Sequence, residues 1–156
     1  MIKIDATDRA ILDALQQDGR MTNVDLAARV HLSESACLRR VRLLEDNGVI
    51  ERYTMLVSPA AVGINGNVFA EITLTSQKQE ELDAFEAAVR AVPEVMECYL
   101  VTGEYDYLLR VVARDTVDYE RVHHEHLTRL PGVARVKTSF TLRTVAKKTA
   151  LPLRAR

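Results

Sequence analysis

The first third of the chain places apolar residues at helical spacing in short stretches divided by turn residues. The first stretch, residues 5–18, puts Ile11, Leu12 and Leu15 on one side and stops at Gly19. A glycine directly after the last helical turn is typical of a left-handed C-cap. The pattern predicts an amphipathic helix ended by Gly19.

Two more helices are predicted from their start and stop signals. Thr22 with Asp25 forms a capping-box pattern before an apolar pair, which favours a helix of about two turns beginning at Thr22. Ser33 is an N-cap candidate followed by Glu34, and this third helix ends near Gly48, where φ can be positive.

The third helix has two different sides. Cys37, Val41 and Leu44 lie on one stripe and are predicted to be buried. An arginine-rich opposite side is common on solvated helices, but the tight connection "VHLS" to the preceding helix indicates a helix-turn-helix, whose second helix enters the DNA major groove. Arginine can bind guanine O6 and N7 or phosphate. The predicted DNA-binding residues are Ser33, Ser35, Ala36, Arg39, Arg40 and Arg42.

A connection follows the helices. Residues 49–59 are rich in β-branched and aromatic types and end at Pro59, which predicts a strand. Turn residues then indicate a hinge. We therefore predict a DNA-binding domain with its following strand at 1–60, a hinge at 61–67, a second domain at 68–148 and a basic, solvated tail at 149–156.

The second domain reads as strand–helix–strand twice. Both helices end in a proline shortly before a valine that opens a strand. This βαββαβ order predicts a ferredoxin-like sheet, so the fold class is α+β. The predicted strands are 68–75, 95–102, 105–113 and 133–145, and the predicted helices are 79–91 and 116–130.

Alternation along the first of these strands assigns the two faces of the sheet. Val68, Ala70, Ile72 and Leu74 are predicted to face the helices, and Phe69 lies on the other face among polar residues. An uncovered, mixed sheet face is a frequent place for self-association, so we expect a dimer.

Composition adds few constraints. The 156 residues are 47% apolar with a formal net charge of −1, so any attraction for DNA must come from local clusters of charge. No apolar run is long enough to span a membrane and the N-terminus lacks a signal pattern, so we expect a cytoplasmic protein. Cys37 and Cys98 form neither a disulfide framework nor a metal pair and are expected to be free thiols.

The stretch "VTGEYDYLL", residues 101–109, places two carboxylates beside a glycine. Gly103 suits a two-residue hairpin turn whose N–H groups can approach an anion, and Asp106 is within reach of a ligand's ammonium group. Catalysis would need a partner base, and a metal would need more ligands. A structural alternative stays open, in which Glu104 is solvated and Asp106 pairs with Arg110.

Three histidines in "VHHEHL" invite a metal hypothesis. His123 and His126 are predicted to lie on the stripe that faces the sheet, whereas His124 points outwards. No cysteine pair or HExxH pattern accompanies them, so half-buried histidines with hydrogen-bond partners are the expected reading and no metal is predicted.

The segment "CLRRVRLLEDNGVI" and the strand–helix repeat behind it resemble the Lrp/AsnC (feast/famine) transcriptional regulators over about residues 4–148. One departure is His31, where the family usually carries glycine; we expect the turn to persist with slight strain. The resemblance implies DNA binding, dimers that assemble further into tetramers of dimers, no enzymatic activity, no cofactor and an amino-acid effector held between dimers. The effector residues it implies are Leu100, Thr102, Gly103, Glu104, Tyr105 and Asp106.

Two other functions compete with this interpretation. Certain sirohaem decarboxylases resemble the same two-domain layout and could recruit the histidines at 123, 124 and 126 to a tetrapyrrole. Alternatively, the chain is an architectural DNA-binding protein with no effector, in which Asp106 is structural.

Overall fold

A computed structural model describes residues 3–153 of the chain. The chain divides into two compact units. The first consists of two stretches, the residues up to Leu56 and the segment that begins at Val145, and the second is Val57–Thr144. None of the helices in the described part is both long and apolar enough to cross a bilayer.

The first unit contains three helices: α1 (Ala6–Gln17), α2 (Asn23–Arg29) and α3 (Glu34–Asp46). The predicted N-caps are confirmed, because the Thr22 hydroxyl accepts a hydrogen bond from Asp25 N–H and the Ser33 hydroxyl accepts one from Ala36 N–H. Gly48 has φ 67°, as predicted. The C-cap predicted at Gly19 is wrong: α1 ends one residue earlier, at an extended Asp18 whose N–H donates to Ala14 O at 3.0 Å.

The core of this unit confirms the predicted buried stripe of α3. Cys37 and Leu44 are buried, and Val41 is half-buried against the same cluster. Burial of apolar surface at this common centre is the main force that holds these short helices in place. The other buried residues are Ile11, Ala14, Leu26 and Ala27.

The strand predicted at 49–59 is wrong. Val49 and Ile50 pack against the first core, and residues 51–58 are exposed and form no hydrogen-bonded strand. A β-rich segment becomes a strand only when another strand pairs with its N–H and C=O groups, and the described chain offers none here. A short 3₁₀ turn, Ala60–Val62, follows and ends at Gly63 with φ 73°.

The tail, predicted as a solvated end, is exposed at residues 149–152 and is also hydrogen-bonded to α1. Leu151 donates its N–H to the Gln16 side chain at 2.6 Å, and its carbonyl accepts from the same side chain at 3.2 Å. Gln16 therefore holds the tail backbone against α1. The last residues of the predicted tail, 154–156, lie outside the described part.

The second unit contains β1 (Gly66–Leu74), α4 (Gln79–Val89), β2 (Val95–Leu100), β3 (Tyr107–Ala113), α5 (Thr116–Glu125) and β4 (Val133–Phe140), with a 3₁₀ turn Leu127–Arg129 before β4. The strand order is β2-β3-β1-β4, and every neighbouring pair is antiparallel. This arrangement confirms the ferredoxin-like fold.

The strand β1 confirms the predicted alternation. Val68, Ala70, Ile72 and Leu74 are buried in a core with residues of both helices, and Phe69 is exposed on the other face. β4 ends at Phe140 rather than at 145, because the last bond of its ladder, from Thr141 N–H to the Asn67 carbonyl at 3.0 Å, lies opposite the beginning of β1.

Candidate functional site

The turn between α2 and α3 determines how α3 is presented. His31 has φ 56°, which confirms the left-handed turn expected from the sequence. A non-glycine residue costs about 1–2 kcal/mol in this region. Leu32 N–H donates to Ala27 O at 2.9 Å, and the Asn23 side chain donates to Glu34 O at 3.0 Å. These bonds fix the start of α3 against α2.

The side of α3 opposite its buried stripe carries most of the predicted DNA-binding residues. Ser35, Arg39 and Arg42 are exposed, and Ala36 is half-buried beside them. Ser33 is exposed, but its hydroxyl already caps the helix. Two guanidinium groups and a small hydroxyl therefore share one solvated surface, which has the chemistry to contact base edges and phosphates.

Arg40 has a different environment from the one predicted. Its Nη1 lies 2.8 Å from Asp5 Oδ2 and 2.7 Å from Asp8 Oδ1, at the first turn of α1. The Asp8 backbone N–H and the Arg40 guanidinium hold the pKa of the Asp5 carboxyl below its ordinary value. Arg40 therefore links α3 to α1, and we remove it from the proposed DNA contacts.

Arg40→Ala is expected to lower the free energy of unfolding of the first unit by about 1–2 kcal/mol, because two charge-assisted hydrogen bonds in a partly exposed site are lost. Urea unfolding of the full chain, followed by circular dichroism, measures this. Arg39→Ala is the matched control, since an exposed side chain without such partners should change stability by less than about 0.5 kcal/mol. Unaltered stability in Arg40→Ala, together with weaker binding to all DNA sequences, would restore Arg40 to the interface.

The predicted two-residue hairpin turn is wrong. Residues 101–106 connect β2 to β3, and Val101 N–H donates to Asp106 O at 2.9 Å. The pairing ends early because the Asp106 N–H bonds to Ile72 O of β1 at 2.9 Å. Gly103 has φ 138°, so glycine is required there. The connection is a wider loop with accessible backbone.

Five of the six predicted effector residues are at least partly accessible. Leu100, Thr102, Gly103 and Glu104 are exposed, and Tyr105 is half-buried. They lie in the β2–β3 loop or directly before it. A small ligand at this loop could reach its backbone N–H groups as well as the Glu104 carboxylate.

Asp106 is the exception, because it is buried. Its Oδ2 accepts from Leu74 N–H at 2.7 Å and its Oδ1 accepts from the Gln77 side chain at 2.5 Å. The alternative prediction, a pair between Asp106 and Arg110, is wrong, because Arg110 Nε donates to Glu97 Oε1 at 2.8 Å. Asp106 thus fastens the end of β1, and the role predicted for it with a ligand ammonium has no support here.

A cavity of about 390 Å³ adjoins Leu100, between α4 and the edge strand β2. Tyr107 OH donates to Glu86 Oε1 at 3.0 Å on its wall. Burial raises the pKa of the Cys98 thiol in this wall to about 11, so the thiol stays protonated near neutral pH. Sequence reasoning missed Glu86 because only sheet register and helix packing bring it near Leu100.

The outer face of the sheet combines apolar and paired charged groups. Phe69 and Tyr99 are exposed there. Lys137 lies 3.0 Å from Glu71, and Arg110 lies 2.8 Å from Glu97. Because these charges are already neutralised in pairs, the face can be covered by another protein surface at a lower desolvation cost than isolated charges would impose.

The histidines agree with the prediction in their burial only, because α5 ends at Glu125, before His126, and the described residues give neither the His123 nor the His126 imidazole the expected hydrogen-bond partner. His123 and His126 are half-buried and His124 is exposed. Among the described residues, no group of three or more potential ligands is close enough together to hold a metal ion.

Comparison with known proteins matches both units in order. A family described as winged helix-turn-helix DNA-binding matches residues 4–51, and one described as Lrp/AsnC ligand binding domain matches residues 67–151. The leucine-responsive regulatory proteins of Salmonella typhimurium and Escherichia coli are 41% and 40% identical to the chain over 153 residues, which is 98% of this chain and 93% of each relative.

Solved structures show the same likeness. A transcriptional regulator from Neisseria meningitidis in complex with L-methionine superposes with a TM-score of 0.92 at 38% identity, covering 97% of both chains. A feast or famine regulatory protein from M. tuberculosis complexed with L-methionine gives a TM-score of 0.84 at 33% identity, covering 93% of this chain and 96% of that one.

Proposed function

Because the chain belongs to the Lrp/AsnC family and is a DNA-binding transcriptional regulator, we propose that it reads DNA with α3 as a dimer and responds to a free amino acid. The observation that carries the DNA proposal is the exposed pair Arg39 and Arg42 on the side of α3 opposite the buried Cys37 and Leu44. The proposal places the protein in the cytoplasm and assigns it no catalytic role.

The dimer is required by the weak charge of the chain. At a net charge of −1, one helix makes too few phosphate and base contacts for tight binding. Two copies related by a twofold axis double these contacts and read an inverted repeat. We place the dimer interface on the outer sheet face that carries Phe69 and Tyr99, and assembly of dimers into larger particles would raise affinity through effective concentration.

The proposed effector site is the β2–β3 loop with residues 100–105, at a contact between dimers. Two structural relatives hold L-methionine, which favours an amino acid here. The loop can offer backbone N–H groups to the ligand carboxylate. With Asp106 bonded to Leu74 and Gln77, the exposed Glu104 is the acidic group left to meet the ammonium.

Titration with the twenty amino acids tests this proposal, with particle size and affinity for a selected DNA site as readouts. At least one amino acid should shift both, because a ligand that prefers one assembly changes the population bound to DNA. Glu104→Gln, which keeps the side-chain size, should weaken the response about tenfold, since a charge-assisted bond to the ammonium becomes a neutral one.

Thr75→Val is a suitable control, because Thr75 is exposed outside the loop. It should respond as the parent does. An absence of any response to all twenty amino acids would favour an architectural protein without an effector.

A further inference from the structure

The helical part of the DNA-binding unit carries no excess of positive charge. Residues 1–56 contain eight basic and nine acidic side chains, which gives a formal net charge of −1. One of the basic residues, Arg40, is already paired with Asp5 and Asp8. Because affinity for DNA depends largely on cations that neutralise phosphates, positive charge from another part of the chain would strengthen binding if it were held beside these helices.

The tail that follows the sheet carries such charge. Its sequence, residues 145–156, contains four basic residues and no acidic one, which changes the formal charge of −1 to +3. The segment that begins at Val145 belongs to the same compact unit as the three helices. Lys147 and Lys148 are exposed, and neither forms an ion pair with another residue in the range 3–153 that the structure describes.

A contact with α1 holds this tail in the DNA-binding unit. The Gln16 side-chain amide accepts from Leu151 N–H at 2.6 Å and donates to Leu151 O at 3.2 Å. Pro152 favours the contact, because a residue before proline is biased towards extended backbone, in which its N–H and C=O point to the same side. One amide side chain can therefore bind both groups, as a neighbouring strand would.

The same contact limits where the two lysines can lie. Lys147 and Lys148 precede Leu151 closely in sequence, so their Cα atoms lie within about 14 Å of the Leu151 Cα even in a fully extended chain. Ile11 of α1 and Cys37 of α3 belong to one buried cluster, so charge that is held on α1 keeps its place relative to α3. The lysines therefore lose less conformational entropy on binding a phosphate than they would in a free tail.

We propose that the tail is part of the DNA-binding surface, in which Lys147 and Lys148 bind phosphates of the DNA backbone and Gln16 holds the tail in place. This role rests on the proposed reading of DNA by α3 and deepens it with a contact that carries no sequence information. Lysine suits the role, because its ammonium is a compact charge with three donors. The contact raises the affinity for selected and random DNA alike.

The salt dependence of DNA binding tests the role of the lysines in the full-length protein. In Lys147→Gln/Lys148→Gln, the slope of log affinity against log salt concentration should become shallower by about 0.9 for each phosphate contact removed, or about 3.6 for four contacts in a dimer. Fluorescence anisotropy between about 50 and 200 mM salt, with a selected and a random duplex, measures this slope. The ratio of the two affinities should stay that of the parent.

Gln16→Ala tests the contact with α1 without removing a charge. Alanine has the highest helix propensity, so α1 should persist, which circular dichroism verifies. Without the contact, the lysines must be ordered when they bind. The affinity for both DNA types at one salt concentration should therefore fall by about threefold to tenfold.

Lys78→Gln/Arg90→Gln is the matched control. It removes two exposed positive charges from the other compact unit, and so it makes the same change in net charge as the variant of the tail. Its salt slope and its affinities should equal those of the parent. This result would distinguish a contact with DNA from an effect of overall charge.

An unchanged slope in Lys147→Gln/Lys148→Gln would overturn the contact of the tail, and α3 would still read DNA if Arg39→Ala lowers the preference for the selected site. A shallower slope together with parent affinity in Gln16→Ala would overturn the role of Gln16, because the lysines would then act from a free tail. If Arg39→Ala leaves the preference for the selected site unchanged, recognition by α3 fails, whatever the slope is.

Discussion

Arg39→Ala is expected to weaken binding to a selected DNA site about 10- to 100-fold, since a bidentate arginine contact with guanine contributes about 1–3 kcal/mol of discrimination. Arg39 is exposed on the face of α3 that lies opposite the buried Cys37. The loss should be larger for the selected site than for random DNA, because a base contact carries sequence information and a phosphate contact does not. Fluorescence anisotropy with both DNA types at one salt concentration measures the difference.

Arg90→Ala is the matched control for this experiment. Arg90 is an exposed arginine at the C-cap of α4, outside the DNA-binding unit, and its side chain is 75% exposed. The control should bind both DNA types as the parent does. Equal affinities for Arg39→Ala and the parent would place recognition elsewhere in the molecule.

Asp106→Ala is expected to destabilise the ferredoxin-like unit by about 2–4 kcal/mol, because two hydrogen bonds to a buried carboxylate are lost and the N–H of Leu74 is left unpaired. The bonds are those from Leu74 at 2.7 Å and from Gln77 at 2.5 Å. Urea unfolding of the full chain measures the loss. α3 and its core lie in the other unit, so the helical signal of the first unit should remain after the sheet unfolds.

Glu104→Ala provides the comparison, because Glu104 is exposed in the same loop. Its stability should stay within about 0.5 kcal/mol of the parent. The account of Asp106 fails if Asp106→Ala keeps the parent's stability and loses only the response to amino acids, since the carboxylate would then serve the ligand.

Local signals in the sequence were sufficient for the elements that depend on near neighbours. Thr22 and Ser33 cap helices through backbone groups three residues away, and the alternation in β1 follows from the pleat of a strand. His31 was expected to be left-handed from the resemblance alone, and its φ of 56° agrees.

The sequence failed where a side chain's partner lies far along the chain. Arg40 meets Asp5 and Asp8 at separations of 35 and 32 residues, and Asp106 meets Leu74 at a separation of 32. Helical periodicity placed Arg40 on the flank of α3 but gave no information on what α1 presents there. Asp106, which lies near Gly103 in the sequence, likewise looked like a ligand group. In the fold its carboxylate already accepts a hydrogen bond from Leu74 N–H.

The strand predicted at 49–59 failed for a related reason. Its composition favours extended backbone, but a strand also requires a partner with free N–H and C=O groups. In the described chain, residues 51–58 lack that partner. Cavities likewise have no signature in sequence, because only the fold brings together the residues that line them.

The central claim is that α3 lies in the major groove, with its arginines on base edges, twice in each dimer. Methylation interference at guanine N7, on DNA fragments selected by the protein from random genomic DNA, tests it most directly, because N7 lies in the major groove. The account predicts two clusters of sensitive guanines related by a twofold axis, with centres about one helical turn or a multiple of it apart. Interference from methylation at adenine N3, which lies in the minor groove, with none at guanine N7, or a single cluster without symmetry, would contradict it.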